Sequence, residues 1–307
     1  MHTKVTGMTM EKRVLGKTGM NVSVLGFGGA EIGFEGASQG IVDKMLVEAL
    51  EQGLNAIDTA ECYVNSEELI GETLGKRRKE FFLFTKCGHS GSDFKPAWGK
   101  AEIAKSIERS LKNLKTDYVD LLQLHSCSAD ILHKGEVVEA LEAAKKAGKT
   151  RFIGYSGDST DALAAIELGV FDTLQTSISI FDQECLDLTL PKAIKKNMGV
   201  IAKRPIGNAV WRHKSKPDNS YVLDYWERMK ALKYEFMDGD ATTAGEIALR
   251  FTYSQPGVHT MIVGTKTPGR WRANADLLAK GPLSSVEIDN IRALWHKVSK
   301  AEWVGQV

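Results

Sequence analysis

Short apolar runs alternate with amphipathic segments along most of the chain, and this alternation constrains the fold more than any other feature. Val22–Gly28 has the length and composition of a buried strand, and Ile41–Gly53 has apolar residues at helical spacing and ends in glycine. The same pair of segments recurs as far as Met261–Gly264 and Pro268–Lys280. Strands that are apolar throughout are typical of a parallel sheet whose faces are covered by helices.

Eight such strand–helix units in a chain of 307 residues predict an α/β fold of TIM-barrel type, a closed (β/α)8 barrel, rather than an open sheet. A hairpin is expected around Lys17–Asn21, before the first unit. An extra helix is expected at Ser285–Val298, because Ser284-x-x-Glu287 has the pattern of a capping box. Residues 208–240 form a long loop or insertion after the seventh strand. No linker interrupts the series, so one barrel domain over the whole chain is expected.

Composition excludes several classes of partner. Lys and Arg number 40 and Asp and Glu number 39, a balance that lacks the basic footprint of nucleic-acid or membrane-surface binding. No apolar run approaches the roughly 18 residues that span a bilayer. Met1–Arg13 has basic residues without a following apolar block, unlike a signal peptide. The four cysteines form neither CxxC nor CxxH, so no metal site is indicated. We expect a cytoplasmic protein.

Titratable residues fall where three consecutive predicted strands end. Asp58, Lys86 and His125 close the second, third and fourth strands, and Tyr63 follows Asp58 by five positions. Active sites of (β/α)8 barrels lie at the carboxyl ends of the strands. A lysine or histidine at the end of an apolar strand is costly to bury without a partner. The four side chains are therefore expected to form one cluster.

The chemistry of this cluster suits a reaction at a carbonyl group. The Lys86 cation is expected to lower the pKa of Tyr63 from about 10 and make it a better proton donor, while Asp58 holds Lys86. His125 would donate a hydrogen bond to the carbonyl oxygen, and a hydride would attack the carbon. Taken singly, each residue has a structural explanation: a strand-end ion pair, a half-buried aromatic, a surface lysine and a structural histidine. Their shared location favours the catalytic interpretation.

Three stretches of the sequence resemble the aldo-keto reductase superfamily. They are Asp58-Thr59-Ala60-x-x-Tyr63, the run from Leu111 to His125 that contains Thr116-Asp117-Tyr118-Val119-Asp120-Leu121, and Gly148-Lys149-x-Arg151-x-Ile153-Gly154-x-Ser156. The resemblance implies a (β/α)8 barrel and reversible reduction of aldehydes or ketones with NADPH. It also implies that Asp58, Tyr63, Lys86 and His125 are the catalytic tetrad, with Tyr63 as the general acid. An alternative within the family is a cofactor-sensing subunit, as in potassium channels.

The resemblance extends to the cofactor, for which Ser156 and Gln175 match residues that bind the nicotinamide carboxamide. Thr265, Lys266 and Arg270 precede or begin a helix, where a 2′-phosphate would be held, and this favours NADPH over NADH. An ordinary solvated helix start is the alternative there, and rim ion pairs are the alternative for the cations after the seventh strand. The expected cofactor-binding residues are Gly28, Ser156, Gln175, Lys203, Arg204, Pro205, Gly207, Gly264, Thr265, Lys266, Arg270 and Asn274.

Two positions depart from the family pattern. Gly157 stands where the family often has asparagine, and Ile178 lies near the position of the aromatic residue that stacks on nicotinamide. Aliphatic contact is therefore expected in place of stacking. A Rossmann dehydrogenase is excluded, because Gly26-Phe27-Gly28-Gly29-Ala30-Glu31 does not complete GxGxxG.

Substrate choice in this architecture is expected to depend on loops. The candidates are Ser90–Trp98, Asn208–Asp240 and the tail around Trp303. Aromatic surface in these loops suits an aromatic or aliphatic aldehyde. The candidate wall residues are Trp98, Trp211, Trp226 and Trp303. The sequence predicts neither the physiological substrate, nor the preferred direction, nor the oligomeric state.

Overall fold

The computed structural model describes residues 10–90 and 95–306; most of the basic N-terminal segment 1–13 falls outside these ranges. The strands described are β1 (Lys12–Val14), β2 (Asn21–Ser23), β3 (Leu25–Gly28), β4 (Ala56–Asp58), β5 (Phe82–Cys87), β6 (His89–Ser90), β7 (Lys95–Pro96), β8 (Val119–His125), β9 (Thr150–Ser156), β10 (Thr173–Ser177), β11 (Gly199–Lys203) and β12 (Thr260–Gly264).

Helices follow most of the strands along the chain. They are α1 (Ala30–Phe34), α2 (Gln39–Glu51), α3 (Ser66–Leu74), α4 (Lys100–Asn113), α5 (Ala129–Lys134), α6 (Glu136–Lys146), α7 (Ser159–Leu168), α8 (Glu184–Leu188), α9 (Leu190–Lys195), α10 (Ser220–Leu232), α11 (Ala241–Tyr253), α12 (Arg270–Leu278) and α13 (Ser285–Val298). Within residues 10–90 and 95–306, none of them combines the length and the apolarity that crossing a bilayer requires.

Eight parallel strands close into a barrel in the order β10–β11–β12–β3–β4–β5–β8–β9. The longest pairing joins β8 to β9, from Val119 opposite Thr150 to His125 opposite Ser156. A buried cluster of mainly Leu, Ile, Val and Ala side chains includes residues of both the strands and the surrounding helices. This arrangement satisfies the backbone hydrogen bonds of every barrel strand while its apolar side chains are covered. The prediction of a (β/α)8 barrel is confirmed.

The predicted N-terminal hairpin closes the amino end of the barrel. Strands β1 and β2 pair antiparallel, and the turn between them places Leu15 and Met20 fully inside a cluster with Phe84 and Leu121. Gly16 in this turn has φ of +49°, and a Cβ there would lie 2.3 Å from the backbone nitrogen of Gly199. Only glycine allows the turn to approach β11 so closely.

The segment after the seventh barrel strand is partly helical rather than a simple loop. Within residues 208–240, α10 is capped by Asn219, whose side chain accepts a hydrogen bond from the backbone nitrogen of Tyr221. Tyr225, Met229 and Leu232 are buried in a second apolar cluster, which also contains residues of α11 and α13. Their spacing of three to four residues is the helical signal in this segment.

Helix α13 begins with the predicted capping box. The Ser284 hydroxyl accepts from the backbone nitrogen of Glu287, and the Glu287 carboxylate accepts from that of Ser284 at 2.7 Å. Ile291 and Trp295 then pack into the second apolar cluster. The cap and these two anchors fix α13 against α10.

Candidate active site

The four predicted tetrad residues meet at the carboxyl end of the barrel. Asp58 ends β4, Lys86 is the penultimate residue of β5, His125 ends β8, and Tyr63 lies in the turn after β4. Lys86 Nζ is 2.5 Å from Asp58 Oδ2 and 3.5 Å from Tyr63 Oη, and it also donates to the carbonyl oxygen of Thr59 at 3.0 Å. The predicted cluster is thus present, with Lys86 between a carboxylate and a phenol.

His125 packs edge-on against Tyr63, with ring centroids 5.7 Å apart. Burial and the nearby cations, Lys86 first among them, lower the pKa of His125 well below 6.5, so its imidazole is neutral at pH 7. Its Nδ1 lies 3.5 Å from Cys62 Sγ. Burial raises the pKa of Cys62 to about 12, so this sulfur carries a proton at neutral pH. A neutral imidazole carries one N–H, and with that proton on Nε2 the ring acts as a donor there.

The pKa of Tyr63 is shifted in the direction opposite to the prediction. Burial raises it well above 10, and the Asp58 carboxylate raises it further, while Arg204 opposes both. The prediction counted the Lys86 cation alone, but Asp58 binds that cation and contributes its own negative charge. Tyr63 therefore keeps its proton throughout the neutral range.

A second set of hydrogen bonds joins Asp58 to the predicted nicotinamide-binding residues. Asp58 Oδ1 accepts from Gln175 Nε2 at 2.9 Å and from Gln123 Nε2 at 3.1 Å. Ser156 Oγ donates to Gln175 Oε1 at 3.1 Å, and all four side chains are buried. The sequence analysis did not identify Gln123. The available signal was its position two residues before His125, which places both side chains on the same face of β8.

The departure at Gly157 has a steric explanation. A Cβ at this position would lie 2.6 Å from Tyr155 Oη and 2.7 Å from the Tyr155 ring. Tyr155 is fixed there because its hydroxyl donates to the carbonyl oxygen of Cys127 at 2.6 Å. An asparagine at position 157 would clash with this ring. Ile178, the second departure, is fully buried just after β10.

The two cations after the seventh barrel strand already have partners. Lys203 Nζ is 2.8 Å from Asp158 Oδ2 and donates to the Gln306 carbonyl oxygen at 2.9 Å. Arg204 donates to the same carbonyl at 2.5 Å and to Tyr221 Oη at 2.9 Å. Neither Asp158 nor Tyr221 was predicted to belong to the site. The rim ion pair considered as an alternative for Lys203 is present here, and the C-terminal tail lies against both cations.

Pro205 and Gly207 continue the same turn. Gly207 has φ of +47°, and a Cβ there would lie 2.4 Å from the Phe181 ring. The Pro205 carbonyl lies 3.4 Å from Thr252 Oγ1 of α11. These contacts fix the turn that carries Lys203 and Arg204.

Glycine stands at the end of both β3 and β12. Gly28 and Gly264 are paired between these adjacent parallel strands, and a Cβ on Gly28 would be in ordinary contact, 3.4 Å from the Gly264 nitrogen. Glycines at such positions permit close approach of a ligand to the backbone. A Cβ on Gly264, in contrast, would collide with the Glu31 carboxylate.

The predicted 2′-phosphate site opens to solvent at the start of α12. Arg270 is the first residue of this helix and is exposed, and Asn274 lies one turn later. Thr265 Oγ1 accepts from the backbone nitrogen of Thr267 at 3.0 Å. Lys266 Nζ forms an ion pair with Glu35 Oε2 at 3.0 Å. The donor set of hydroxyl, ammonium and guanidinium groups at a helix N-terminus fits a phosphate.

The four candidate tryptophans divide into two groups. Trp98 packs on His89, with ring centroids 5.2 Å apart, and His89 packs in turn on His125. Trp211, Trp226 and Trp303 pack against the second apolar cluster beneath α10. A role in substrate binding remains a prediction for all four. Part of the candidate loop Ser90–Trp98, namely residues 91–94, lies outside the described residues.

All four cysteines are free and buried. In the described parts of the chain, no group of three or more His, Cys, Asp or Glu side chains is arranged to hold a metal ion.

Comparison with known proteins agrees with this geometry. The model of the Aldo/keto reductase family matches residues 24–296. The chain belongs to this family. L-galactose dehydrogenase of Arabidopsis thaliana is 27% identical over 96% of this chain and 97% of its own length. The NADH-specific methylglyoxal reductase of Escherichia coli (strain K12) is 26% identical over 88% and 94%. The holo form of aldo-keto reductase AKR11C1 from Bacillus halodurans has a TM-score of 0.81 at 27% identity, covering 96% of this chain and 99% of that one.

Membership of the aldo-keto reductase family makes the protein an NAD(P)H-dependent oxidoreductase. The relatives named above are called reductases or a dehydrogenase, and none of those names describes a regulatory subunit. The cofactor-sensing alternative therefore gains no support from them.

Proposed function

We propose that this aldo-keto reductase reduces small aldehydes or ketones with NADPH, and that Tyr63 donates the proton. The observation that carries the proposal is the position of Lys86, whose ammonium group lies within hydrogen-bonding distance of both Asp58 and Tyr63 Oη, with the neutral His125 ring beside them. Tyr63 and His125 can both donate hydrogen bonds to one carbonyl oxygen. The natural substrates are therefore compounds with an accessible carbonyl group.

The residues have separate tasks in the proposed reaction. A bound nicotinamide supplies the hydride. His125 Nε2 donates a hydrogen bond to the carbonyl oxygen as negative charge develops there, and Tyr63 Oη transfers its proton to the same oxygen. Asp58 keeps the Lys86 ammonium group next to Tyr63, where it stabilises the phenolate that remains. The reverse reaction would need this phenolate as the base, and the raised pKa of Tyr63 keeps the phenolate scarce at neutral pH.

The residues present fit a dinucleotide. Ser156 and Gln175 offer hydroxyl and amide groups beside the tetrad, and the paired glycines Gly28 and Gly264 end the two strands, of which β12 leads along the chain to Arg270. The cations Lys266 and Arg270 support a 2′-phosphate and thus NADPH, as proposed. Binding of NADPH and of NADH is compared in the first experiment, because one relative is named as specific for NADH.

The decisive experiment compares the wild type with Tyr63→Phe. Oxidation of NADPH is followed with a panel of aromatic and aliphatic aldehydes, and nucleotide binding is measured separately by fluorescence titration. Loss of the proton donor is expected to lower kcat by about 10²–10⁴-fold. The dissociation constant of NADPH is expected to stay within about threefold, since one hydroxyl is removed and the ring that fills the site remains.

Each result has a definite meaning. A Tyr63→Phe protein that retains more than about a tenth of the wild-type kcat would exclude Tyr63 as the general acid. A wild type that binds neither nucleotide would contradict the proposed function as a whole. Tighter binding of NADH than of NADPH would overturn only the choice of cofactor.

A further inference from the structure

Two carboxylates, Glu31 of helix α1 and Glu35 directly after this helix, lie beside the predicted phosphate-binding residues. The Glu31 carboxyl group lies over the end of β12, so close that a Cβ on Gly264 would be 1.4 Å from Glu31 Oε2. One turn later, Glu35 forms the ion pair with Lys266. A carboxylate over Gly264, beside the expected cofactor-binding residues, repels the phosphates of a dinucleotide unless its charge is neutralised or moved.

In the described residues, the hydrogen-bond partner found for the Glu31 carboxyl group is the backbone of Glu31 itself, and no side chain donates to it. Burial raises its pKa to about 7 and Glu35 raises it further, while this backbone hydrogen bond and Arg204 oppose the shift. A partly buried carboxyl group that titrates near neutrality, above glycine backbone that a ligand can approach, is typical of functional positions.

We propose that Glu31 competes with the cofactor pyrophosphate for the space above Gly264, and that the cofactor binds the form of the protein in which the Glu31 carboxyl group is protonated. The inference rests on the proposed function and adds a residue that controls cofactor affinity. Binding of the nucleotide then takes up a proton, and affinity falls as the pH rises through the titration of Glu31.

The other charged groups around Glu31 can be distinguished from it in a titration. Glu35 directly follows α1 and is bound to Lys266, and Arg204 faces Glu31 from the turn after β11. Helix α3 packs on α1, but its Glu67 hydrogen-bonds to Thr85, and its other two glutamates, at positions 68 and 72, are exposed. Strand β12 contributes no titratable side chain. Lys203 has a pKa lowered to about 8 by burial, and its titration is common to the wild type and to a Glu31 variant.

The test is a binding titration over about pH 6 to 9 with NADPH and with NADH, which has no phosphate monoester to titrate in this range. Wild type, Glu31→Gln and Glu31→Ala are compared, with Glu68→Gln as the control that removes an exposed carboxylate from α3. Above pH 7 the wild-type dissociation constant is expected to rise by up to about tenfold per pH unit relative to Glu31→Gln. Calorimetry in two buffers of different ionisation enthalpy is expected to show uptake of close to one proton, absent in Glu31→Gln.

Both Glu31 variants are expected to bind at least about tenfold more tightly than the wild type near pH 8.5, and Glu68→Gln to match the wild type. Parallel pH profiles for wild type and Glu31→Gln would overturn the inference, as would weaker binding by both variants, provided that thermal melting shows them folded. Absence of nucleotide binding by every protein at every pH would instead overturn the proposed function, and the inference with it.

Discussion

Asp58 organises the site at the scale of single residues. One carboxylate oxygen accepts from Lys86, and the other accepts from Gln123 and Gln175. A buried carboxylate with three donors has one orientation, and it fixes those donors in turn. The same carboxyl group thus positions both sides of the site. One is the proton-donor side, Lys86 with Tyr63, and the other is the proposed nicotinamide side, Gln175 with its partner Ser156.

The charge states of His125 and Tyr63 predict how turnover responds to pH. The pKa of His125 is lowered well below 6.5 and that of Tyr63 is raised well above 10, so neither group titrates at neutral pH. We expect kcat for reduction at saturating cofactor to be constant from about pH 6.5 to 8 when the chemical step limits the rate. Steady-state kinetics measures this directly.

His125→Gln provides the comparison for this profile, because glutamine keeps a donor but does not titrate. Its kcat is expected to be lower and equally flat. A wild-type kcat that changes severalfold with a midpoint near pH 6.5, while the kcat of the variant stays flat, would show that His125 takes up a proton in the working enzyme. The assignment of a neutral His125 would then be wrong.

The sequence was sufficient to bring the four tetrad residues together, because strand ends in a parallel barrel share one rim. It was not sufficient for the pKa of Tyr63, which depends on burial and on how Asp58 and Arg204 are placed around the ring. Nor did it explain Gly157, since the steric reason is the path of the Tyr155 side chain. Distances between side chains decide both points.

At the scale of elements, a buried glutamate joins α3 to the barrel. Glu67, in the first turn of α3, is 2% exposed and accepts from Thr85 Oγ1 of β5 at 2.6 Å. Burial raises its pKa to about 7. In the unfolded chain it ionises near 4.5, so the folded protein binds more protons between these values. The contribution of Glu67 to the free energy of unfolding therefore decreases from about pH 4.5 to 7 and stays low above.

Glu67→Gln removes this dependence and keeps an oxygen for Thr85. We expect the variant to be more stable than the wild type above pH 7, by about 3 kcal/mol at most, and the difference to vanish near pH 5. Urea denaturation at the two pH values measures it, with the exposed neighbour Glu68→Gln as control. A Glu67→Gln protein that is less stable at both values would show that its ionised form is stabilising.

Helices and strands were predicted well where the apolar periodicity and the start and stop residues agree, as in α13 with its capping box. Helix α10 was missed because residues 208–240 were interpreted as a long loop or insertion after the seventh strand. The apolar spacing from Tyr225 to Leu232 lies within this segment. Its meaning depends on the second apolar cluster, which is formed by elements more distant in sequence.

For the molecule as a whole, the hairpin and the site lie at opposite ends of the barrel. Leu15 is fully buried against residues of four barrel strands at the amino end, away from Tyr63. We expect Leu15→Ala to lower the free energy of unfolding by about 2–5 kcal/mol through the cavity it leaves. The dissociation constant of NADPH is expected to be unchanged at temperatures where the variant is folded.

Val14→Ala is the matched control, because Val14 is 55% exposed in the adjacent strand. Its effect on stability is expected to stay within about 0.5 kcal/mol. Chemical denaturation and fluorescence titration on the same samples check both quantities. A Leu15→Ala variant with weakened nucleotide binding but unchanged stability would mean that the two ends of the barrel are coupled.

The carbonyl oxygen of Gln306 accepts hydrogen bonds from both Lys203 and Arg204. An anion that binds to these two cations meets a competitor belonging to the chain itself, present at a fixed local concentration that dilution does not change. Where binding requires the tail to withdraw, the measured affinity is the intrinsic affinity multiplied by the fraction of molecules whose tail has withdrawn. Association at high ligand concentration would level off at the rate of that withdrawal, so that residues far from the chemistry set how fast the enzyme can be loaded.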